Sequence, residues 1–150
     1  MSNTEQTLSI IKPDAVERNL DNEIKEMFIN KDFKIVKDKK IQISKPEAEQ
    51  FYKVHETKPF YNDLCTYLSS GPIVVMVLEK ENAVLANRDL MGATKPEDAA
   101  EGTIRKKYGI SIDKNSVHGS DSVENAKIEI NFFFKNIKPI IFKSFFNFIF

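Results

Sequence analysis

The spacing of apolar residues along the chain first predicts a series of strands. Residues 7–11 are typical of a short strand that ends before Pro13. Residues 33–43 are β-branched and rich in lysine, which favours a strand with one face in water. The continuous apolar run over residues 73–78 predicts a central strand buried on both faces. A last short strand is predicted to end at His118.

Between these strands the apolar residues recur at helical spacing. One helix is predicted to follow Asp21, which we expect to be its N-cap. Ser44 and Glu47 have the spacing of a capping box that opens a second helix. Further helices are predicted around residues 60–68, over about residues 82–90, and after a second capping-box pattern at Asp121 and Glu124.

The predicted order of elements is β-α-β-α-α-β-α-β-α. The length of 150 residues fits one domain. No glycine-rich dinucleotide fingerprint follows the first strand. An α/β (α+β) sandwich of the split β-α-β, ferredoxin-like type therefore fits better than a doubly wound sheet. Residues 91–102 are predicted to form a long loop, and such loops often serve a function.

Charge and cysteine content narrow the functional class. Lysine plus arginine and aspartate plus glutamate both total 22, so no strongly basic surface argues for an obligate nucleic-acid partner. Cys65 is the single cysteine, which excludes an internal disulfide framework, and we expect it to pack in the core. The first residues lack the pattern of a signal peptide. We expect a cytoplasmic protein without a transmembrane segment.

Arginine is scarce, with three residues against 19 lysines. Its planar guanidinium matches the geometry of phosphate oxygens, whereas lysine offers only a point charge. Because arginine is so rare in this sequence, we expect Arg18, Arg88 and Arg105 each to be required where it occurs.

The segment around His118 carries the clearest chemical signal. His118 ends a short apolar stretch beside Gly119, and helix-capping residues follow at once. This arrangement would expose an imidazole beside a helix N-terminus, which favours an anion. Histidine titrates near neutral pH and can act as a covalent nucleophile in phosphoryl transfer. Glu129 could accept a hydrogen bond from the imidazole, directly or through Ser120.

Phosphoryl transfer depends mainly on positioning and charge neutralisation. The groups suited to that task are Lys12, Arg88, Thr94 and Arg105. Each signal alone also has a structural interpretation, because a lone histidine is commonly structural and single cations are commonly solvated. The same holds for the aromatic Phe60, which alone is more typical of a core residue, and for His55 on a helical stripe.

Several motifs together resemble the nucleoside diphosphate kinases in order and spacing. The resemblance runs from about Glu5 to Phe134, and its most specific part is the run HGSDS at residues 118–122. The other motifs are TLSIIKPD at residues 7–14, Phe51-Tyr52, KPF at residues 58–60, Asn87-Arg88, MGATKP at residues 91–96, GTIR at residues 102–105, and NSV at residues 115–117.

The resemblance implies a four-stranded antiparallel sheet covered by helices. It also implies ping-pong transfer of a γ-phosphate from a nucleoside triphosphate to a diphosphate through phosphorylated His118, supported by Glu129 and Ser120. The implied nucleotide contacts are Lys12, Tyr52 and Asn115 at the transferring phosphate or sugar, Arg88, Thr94 and Arg105 at the inner phosphates, Phe60 and Ile112 on the two faces of the base, and Leu64.

The implied partners are nucleotides such as ATP, GTP and deoxynucleoside diphosphates. Mg²⁺ would be carried by their phosphates rather than by a set of protein ligands. The family's members assemble as hexamers or tetramers, so a homo-oligomer is implied. Two alternatives remain: a non-catalytic nucleotide-binding module, and a phosphohistidine relay that passes its phosphate to another protein.

The sequence predicts two parts of unequal size. Residues 1–136 would form the kinase domain, and residues 137–150 an apolar tail. The tail is shorter than the roughly 20 apolar residues that span a bilayer. We expect it to pack between subunits, with membrane-surface binding or an extension without function as the alternatives.

Overall fold

A single antiparallel sheet organises the chain. The computed structural model describes the backbone of residues 3–136 and 140–141 and the side chains of residues 3–135. Its strands follow the order β4-β1-β3-β2-β5. They are β1 (Thr4–Ile11), β2 (Lys34–Gln42), β3 (Ile73–Glu81), β4 (Val117–Gly119) and the two-residue β5 (Ile140–Ile141).

The four principal strands confirm the predicted ferredoxin-like, split β-α-β sheet. The short β5 adds to this sheet by pairing Ile141 with Ile41 at the edge of β2. It falls in the segment assigned to the tail. The other tail residues, 137–139 and 142–150, lie outside the described residues, and the expectation that the tail packs between subunits stays a prediction.

Helices cover both faces of the sheet. They are α1 (Pro13–Glu17), α2 (Asp21–Asn30), α3 (Lys45–Phe51), α4 (Tyr61–Leu68), α5 (Ala83–Met91), α6 (Ile104–Tyr108) and α7 (Val123–Asn131), and a π-helical turn continues α7 over Phe132–Asn136. No helix among the described residues is long and apolar enough to cross a membrane.

Helices α1 and α6 were not predicted from the apolar spacing. Pro13 stops β1 as expected, but it also occupies the first turn of α1, where its missing N–H is not needed. Helix α6 has only five residues, and the hydroxyl of Thr103 caps it by accepting from the Lys106 N–H. Elements this short carry too few apolar residues for a periodic signal.

One of the three predicted helix caps is present, and the other two are not. The capping box of Ser44 and Glu47 is present at the start of α3. Asp21 is the first residue of α2 rather than its N-cap, which is Leu20. The expected capping box at residues 121 and 124 is also wrong, because Ser122 caps α7 by accepting from the N–H of Asn125 at 3.0 Å.

Two apolar clusters hold the helices against the sheet. Strand β3 is buried on both faces over residues 73–78, as its apolar run predicted. Met76 points into the cluster that contains Phe28 of α2, whereas Val75 points into the cluster that contains Phe133 after α7. Cys65 is fully buried in the second cluster, which confirms its expected place in the core.

Pairing between β1 and β4, at the edge of the sheet opposite β5, positions His118. Residue Ile10 of β1 pairs with His118 of β4. Paired residues of an antiparallel ladder share a face, so the imidazole lies on the face covered by α3 and α7. One residue beyond β1, the N–H of Lys12 donates to the carbonyl of Ser116 at 2.8 Å. The end of β1 and the segment before β4 therefore meet at one place.

Candidate active site

His118 is held by side chains from two helices. Its Nε2 lies 2.8 Å from Oε1 of Glu129 on α7, and its ring meets the ring of Phe51 on α3 edge to face at 5.3 Å. The side chains of His118 and Glu129 are 20% and 18% exposed, so their contact is partly open to solvent. Because a carboxylate accepts, this contact assigns the proton to Nε2 and leaves the lone pair on Nδ1.

Ser120 fixes the position of that carboxylate. Its hydroxyl donates to Oε1 of Glu129 at 3.0 Å and accepts from the N–H of Leu8 at 3.3 Å. The backbone N–H of Ser120 also donates to the carbonyl of Leu8 at 3.2 Å. Glu129 is thereby tied to the sheet as well as to the histidine, and the structure brings together all three residues that the sequence grouped here.

A second polar group lies at the end of β1. The buried Lys12 ammonium donates to Oδ1 of Asn115 at 2.9 Å. The amide nitrogen of Asn115 donates in turn to the carbonyls of Thr94, at 3.2 Å, and Ile112, at 3.0 Å. Burial, reinforced by the charge of Arg105, lowers the pKa of Lys12 to about 8. An anion beside this ammonium would relieve both effects.

Arg105 adds a second buried cation. Its Nη1 donates to the carbonyl of Gly92 at 3.0 Å and its Nη2 to the carbonyl of Val117 at 2.8 Å. Its Nε is buried and has no hydrogen-bond partner in the described protein. Burial, followed by the charge of Arg88, lowers the pKa of Arg105 to about 10. Two like charges, those of Arg88 and Arg105, therefore lie close together, and an anionic ligand beside them would be favoured.

A cleft of about 560 Å³ opens beside these arginines. Its wall combines residues of α5 with the loop that the sequence marked as functional. The lining residues are Leu85, Arg88, Asp89, Met91, Gly92, Ala93, Thr94, Asp98, Ala100, Thr103 and Arg105. Lys12 and His118 are not among them, so the cleft lies on the arginine side of the site and not at the imidazole.

The residues expected to contact the nucleotide base differ in their exposure to solvent. Phe60 precedes α4 and is 48% exposed, and Ile112 is 53% exposed. Both present apolar surface to solvent, which suits stacking on a planar group. Leu64 is instead partly buried against the cluster around Tyr52. The ring of His55 lies 6.1 Å from that of Phe60, in keeping with its interpretation as a packed helix residue.

Tyr52 belongs to the buried cluster against which Leu64 packs. It is buried, and its burial together with the charge of Glu129 raises its pKa. The hydroxyl therefore stays protonated and can donate a hydrogen bond.

The sequence did not predict a buried hydrogen-bond network around Asp14. Its carboxylate accepts from the hydroxyl of Tyr67, from Oγ of Ser116 at 3.0 Å and from Nη2 of Arg18 at 3.2 Å. Arg18 also donates to the carbonyl of Tyr108 at 2.7 Å, so its fork serves the fold and not a phosphate. The one available signal was the place of Asp14 inside the TLSIIKPD motif.

The sequence did not place Phe51 at the site, yet its ring packs on that of His118. Within the part of the chain that the structure describes, no group of three or more histidine, cysteine, aspartate or glutamate side chains could hold a metal ion.

Comparison with known proteins decides the family. The sequence model described as nucleoside diphosphate kinase matches residues 5–138. This chain belongs to the nucleoside diphosphate kinase family. A nucleoside diphosphate kinase of Wolinella succinogenes is 60% identical over 130 residues, which are 87% of this chain and 95% of that protein. One from Campylobacter jejuni is 58% identical over 131 residues, covering 87% and 96%.

Solved structures agree with this assignment. A nucleoside diphosphate kinase of Aquifex aeolicus superposes with a TM-score of 0.87 at 38% identity, covering 91% of this chain and 99% of the other. One of Encephalitozoon cuniculi gives 0.84 at 34% identity, covering 97% and 99%. The predicted family, fold and enzyme class are confirmed: the chain is a phosphotransferase that acts on nucleotides.

Proposed function

We propose that the transfer runs by a ping-pong mechanism through a phosphoenzyme on Nδ1 of His118. The observation that carries this proposal is the 2.8 Å contact between His118 Nε2 and Glu129 Oε1, which leaves Nδ1 as the nucleophile. Nδ1 attacks the γ-phosphorus and forms an N–P bond. The bond from that phosphorus to the bridging oxygen breaks, and its electron pair leaves with the diphosphate. A second diphosphate then reverses these steps.

The surrounding cations would hold the phosphates. Lys12, with Asn115 bonded to it, is suited to the transferring phosphoryl group, because a buried ammonium can match charge that spreads over its oxygens. Arg88, Thr94 and Arg105 line the neighbouring cleft and suit the inner phosphates. Tyr52, whose hydroxyl stays protonated, would donate near the phosphate or the sugar.

Phe60 and Ile112 would enclose the base, with Leu64 behind them. Their exposed apolar surfaces offer stacking and van der Waals contact. Every base has a π-face, so stacking discriminates little between bases. We therefore propose a broad range of substrates, including ATP, GTP and deoxynucleoside diphosphates.

Mg²⁺ would be bound by the nucleotide phosphates. The described residues include no acidic metal cluster, whereas two buried cations, Lys12 and Arg105, lie at the proposed phosphate site. This donor set fits a magnesium–nucleotide complex and not a metal held by the protein alone. The ion would neutralise phosphate charge, and the orientation of the nucleophile would come from Glu129.

A homo-oligomer, tetramer or hexamer, is the proposed assembly, and the cytoplasm the proposed compartment. Several large apolar side chains are exposed on the single chain, among them Ile29, Leu85 and Ile128. Burial between subunits would remove such surface from water. Light scattering should give four or six times the mass of the 17.2 kDa chain, and a monomeric mass would contradict the assembly.

Label transfer tests the function directly. The protein is incubated with γ-labelled ATP and Mg²⁺, isolated, and then given a panel of unlabelled diphosphates. We expect acid-labile label that moves promptly to many diphosphates. His118→Ala should abolish the label, while His55→Ala, which changes the only other histidine, should retain it. Label that leaves only for a protein would favour the relay, and bound nucleotide without label would favour a binding module.

A further inference from the structure

Asp14 is a buried carboxylate beside the proposed phosphate site. It is only 4% exposed, and it accepts from donors on separate parts of the chain. These donors are Tyr67 of α4, Ser116 before β4 and Arg18 at the end of α1. A buried charge is costly unless it is paired and hydrogen-bonded, and this one is fully engaged. Asp14 therefore joins α1, α4 and the segment before β4 at one point.

The segment that Asp14 holds contains an unusual turn. Ser116 has a φ of 76°, and the N–H of Val117 donates to the carbonyl of Asn115 at 2.9 Å across it. This is a γ-turn with positive φ at its centre, a rare and strained conformation for a non-glycine residue. Such a conformation persists only where its surroundings fix it. Ser116 is fixed by Asp14 through its hydroxyl and by the N–H of Lys12 through its carbonyl.

The turn sets two groups of the site at once. On its N-terminal side stands Asn115, which holds the ammonium of Lys12. On its C-terminal side, two residues from Ser116, stands His118. A relaxation of the γ-turn would therefore move Asn115, which holds Lys12, relative to the imidazole of His118.

Asp14 also acts on Lys12 through its charge. The charged groups that face Lys12 within the described residues are Arg105 of α6, Asp14 of α1 and Asp113 before β4. Burial and Arg105 lower the pKa of Lys12, whereas Asp14 and then Asp113 raise it. Asp14 itself faces Arg18 and Tyr67. Its negative charge therefore favours the cationic form of Lys12, which can bind a phosphoryl group.

We infer that Asp14 is a positioning residue for phosphoryl transfer. Its carboxylate fixes the γ-turn at Ser116, and its charge favours the cationic form of Lys12. Asp14 acts through these two residues and not by touching the nucleotide. The inference rests on the proposed function, since it assigns to Asp14 a part in forming the His118 phosphoenzyme.

The test is the rate of phosphoenzyme formation from magnesium–ATP in Asp14→Asn, followed across pH in rapid-quench experiments. We expect the rate constant to fall roughly 10- to 100-fold, with a small change in ATP affinity, because misplacement of reacting groups costs about this much. The alkaline limb of kcat/KM reports groups of the free enzyme. It should move to lower pH, because Lys12 loses the charge that favours its protonation.

Two further variants make the test specific. Ser116→Ala removes an anchor of the turn but keeps the charge of Asp14, so its rate should fall while the alkaline limb stays in place. Asp38→Asn removes an exposed carboxylate that pairs with Lys25 at 2.7 Å, and should behave as wild type. A role of Asp14 in folding alone would lower the amount of folded protein without moving the limb.

The inference would be overturned by a folded Asp14→Asn variant whose rate of phosphoenzyme formation and whose alkaline limb of kcat/KM both match those of the wild type. If Asp14→Asn does not fold, a wild-type rate in Ser116→Ala overturns it instead. Wild-type protein that forms no phosphoenzyme would defeat the proposed function itself, and that result is distinct from failure of either variant.

Discussion

Replacing Glu129 by glutamine tests what the negative charge of the carboxylate contributes at His118. The side chain keeps its shape and an accepting oxygen, but it loses the charge that faces His118 Nε2 at 2.8 Å. Hydrogen bonds to charged groups contribute about 1.5–3 kcal/mol net. Because the two side chains are 20% and 18% exposed, solvent screening favours the lower part of that range. A loss of about 1.5–2 kcal/mol corresponds to a rate roughly 10- to 30-fold lower.

The assay is the single-turnover rate of phosphoenzyme formation at saturating magnesium–ATP. Glu124→Gln makes the same chemical change at an exposed position in the first turn of the same helix, and it should leave the rate unchanged. Glu129→Ala should be slower than Glu129→Gln, because it also removes the oxygen that Ser120 holds. A wild-type rate in Glu129→Gln would refute the reasoning that the carboxylate's charge prepares the nucleophile.

Burial and exposure also predict the effects of substitutions at Lys12, Phe60 and Phe133. Lys12→Met should raise the free energy of unfolding at pH 7 in urea titrations, because burial lowers the pKa of Lys12 from 10.5 to about 8. The wild-type protein gains stability as the pH rises from about 8 to 10.5, because the unfolded chain then binds more protons than the folded one. The difference in stability between the variant and the wild type should therefore vanish by pH 10.5. Phe60→Ala should raise the KM for nucleotides about tenfold in steady-state assays while largely sparing kcat, because a stacking surface is lost. Phe133→Ala, which empties a fully buried site, should lower the free energy of unfolding by about 3–5 kcal/mol in the same titrations. Equal stability of Lys12→Met and wild type at pH 7, an unchanged KM in Phe60→Ala, or a cost below 1 kcal/mol for Phe133→Ala would contradict the respective argument.

Much of the fold could be predicted because its signals are local. The apolar run at residues 73–78 marked β3, since a strand buried on both faces has no polar alternation. The capping box at Ser44 lies within four consecutive residues. Helix α1 escaped prediction, because Pro13 ends a strand and begins a helix with the same fixed φ.

The site was predictable where a motif carried it and obscure where distant residues meet. His118, Ser120 and Glu129 lie within 12 consecutive residues, and their grouping matched the structure. In the Asp14 network, by contrast, Asp14 bonds to two residues that lie 53 and 102 positions away along the sequence. The strain at Ser116 is likewise a property of φ and not of composition, since serine carries no preference for that conformation. Only the folded chain brings these groups together.

The most direct test of the central claim is to identify the phosphorylated nitrogen by phosphorus–nitrogen NMR on protein with ¹⁵N-labelled histidine, trapped after addition of magnesium–ATP. The hydrogen bond from His118 Nε2 to Glu129 predicts phosphate on Nδ1 of His118, and its removal by added diphosphate at a rate no slower than steady-state turnover. Phosphate on Nε2, on another residue, or released more slowly than turnover would contradict the account.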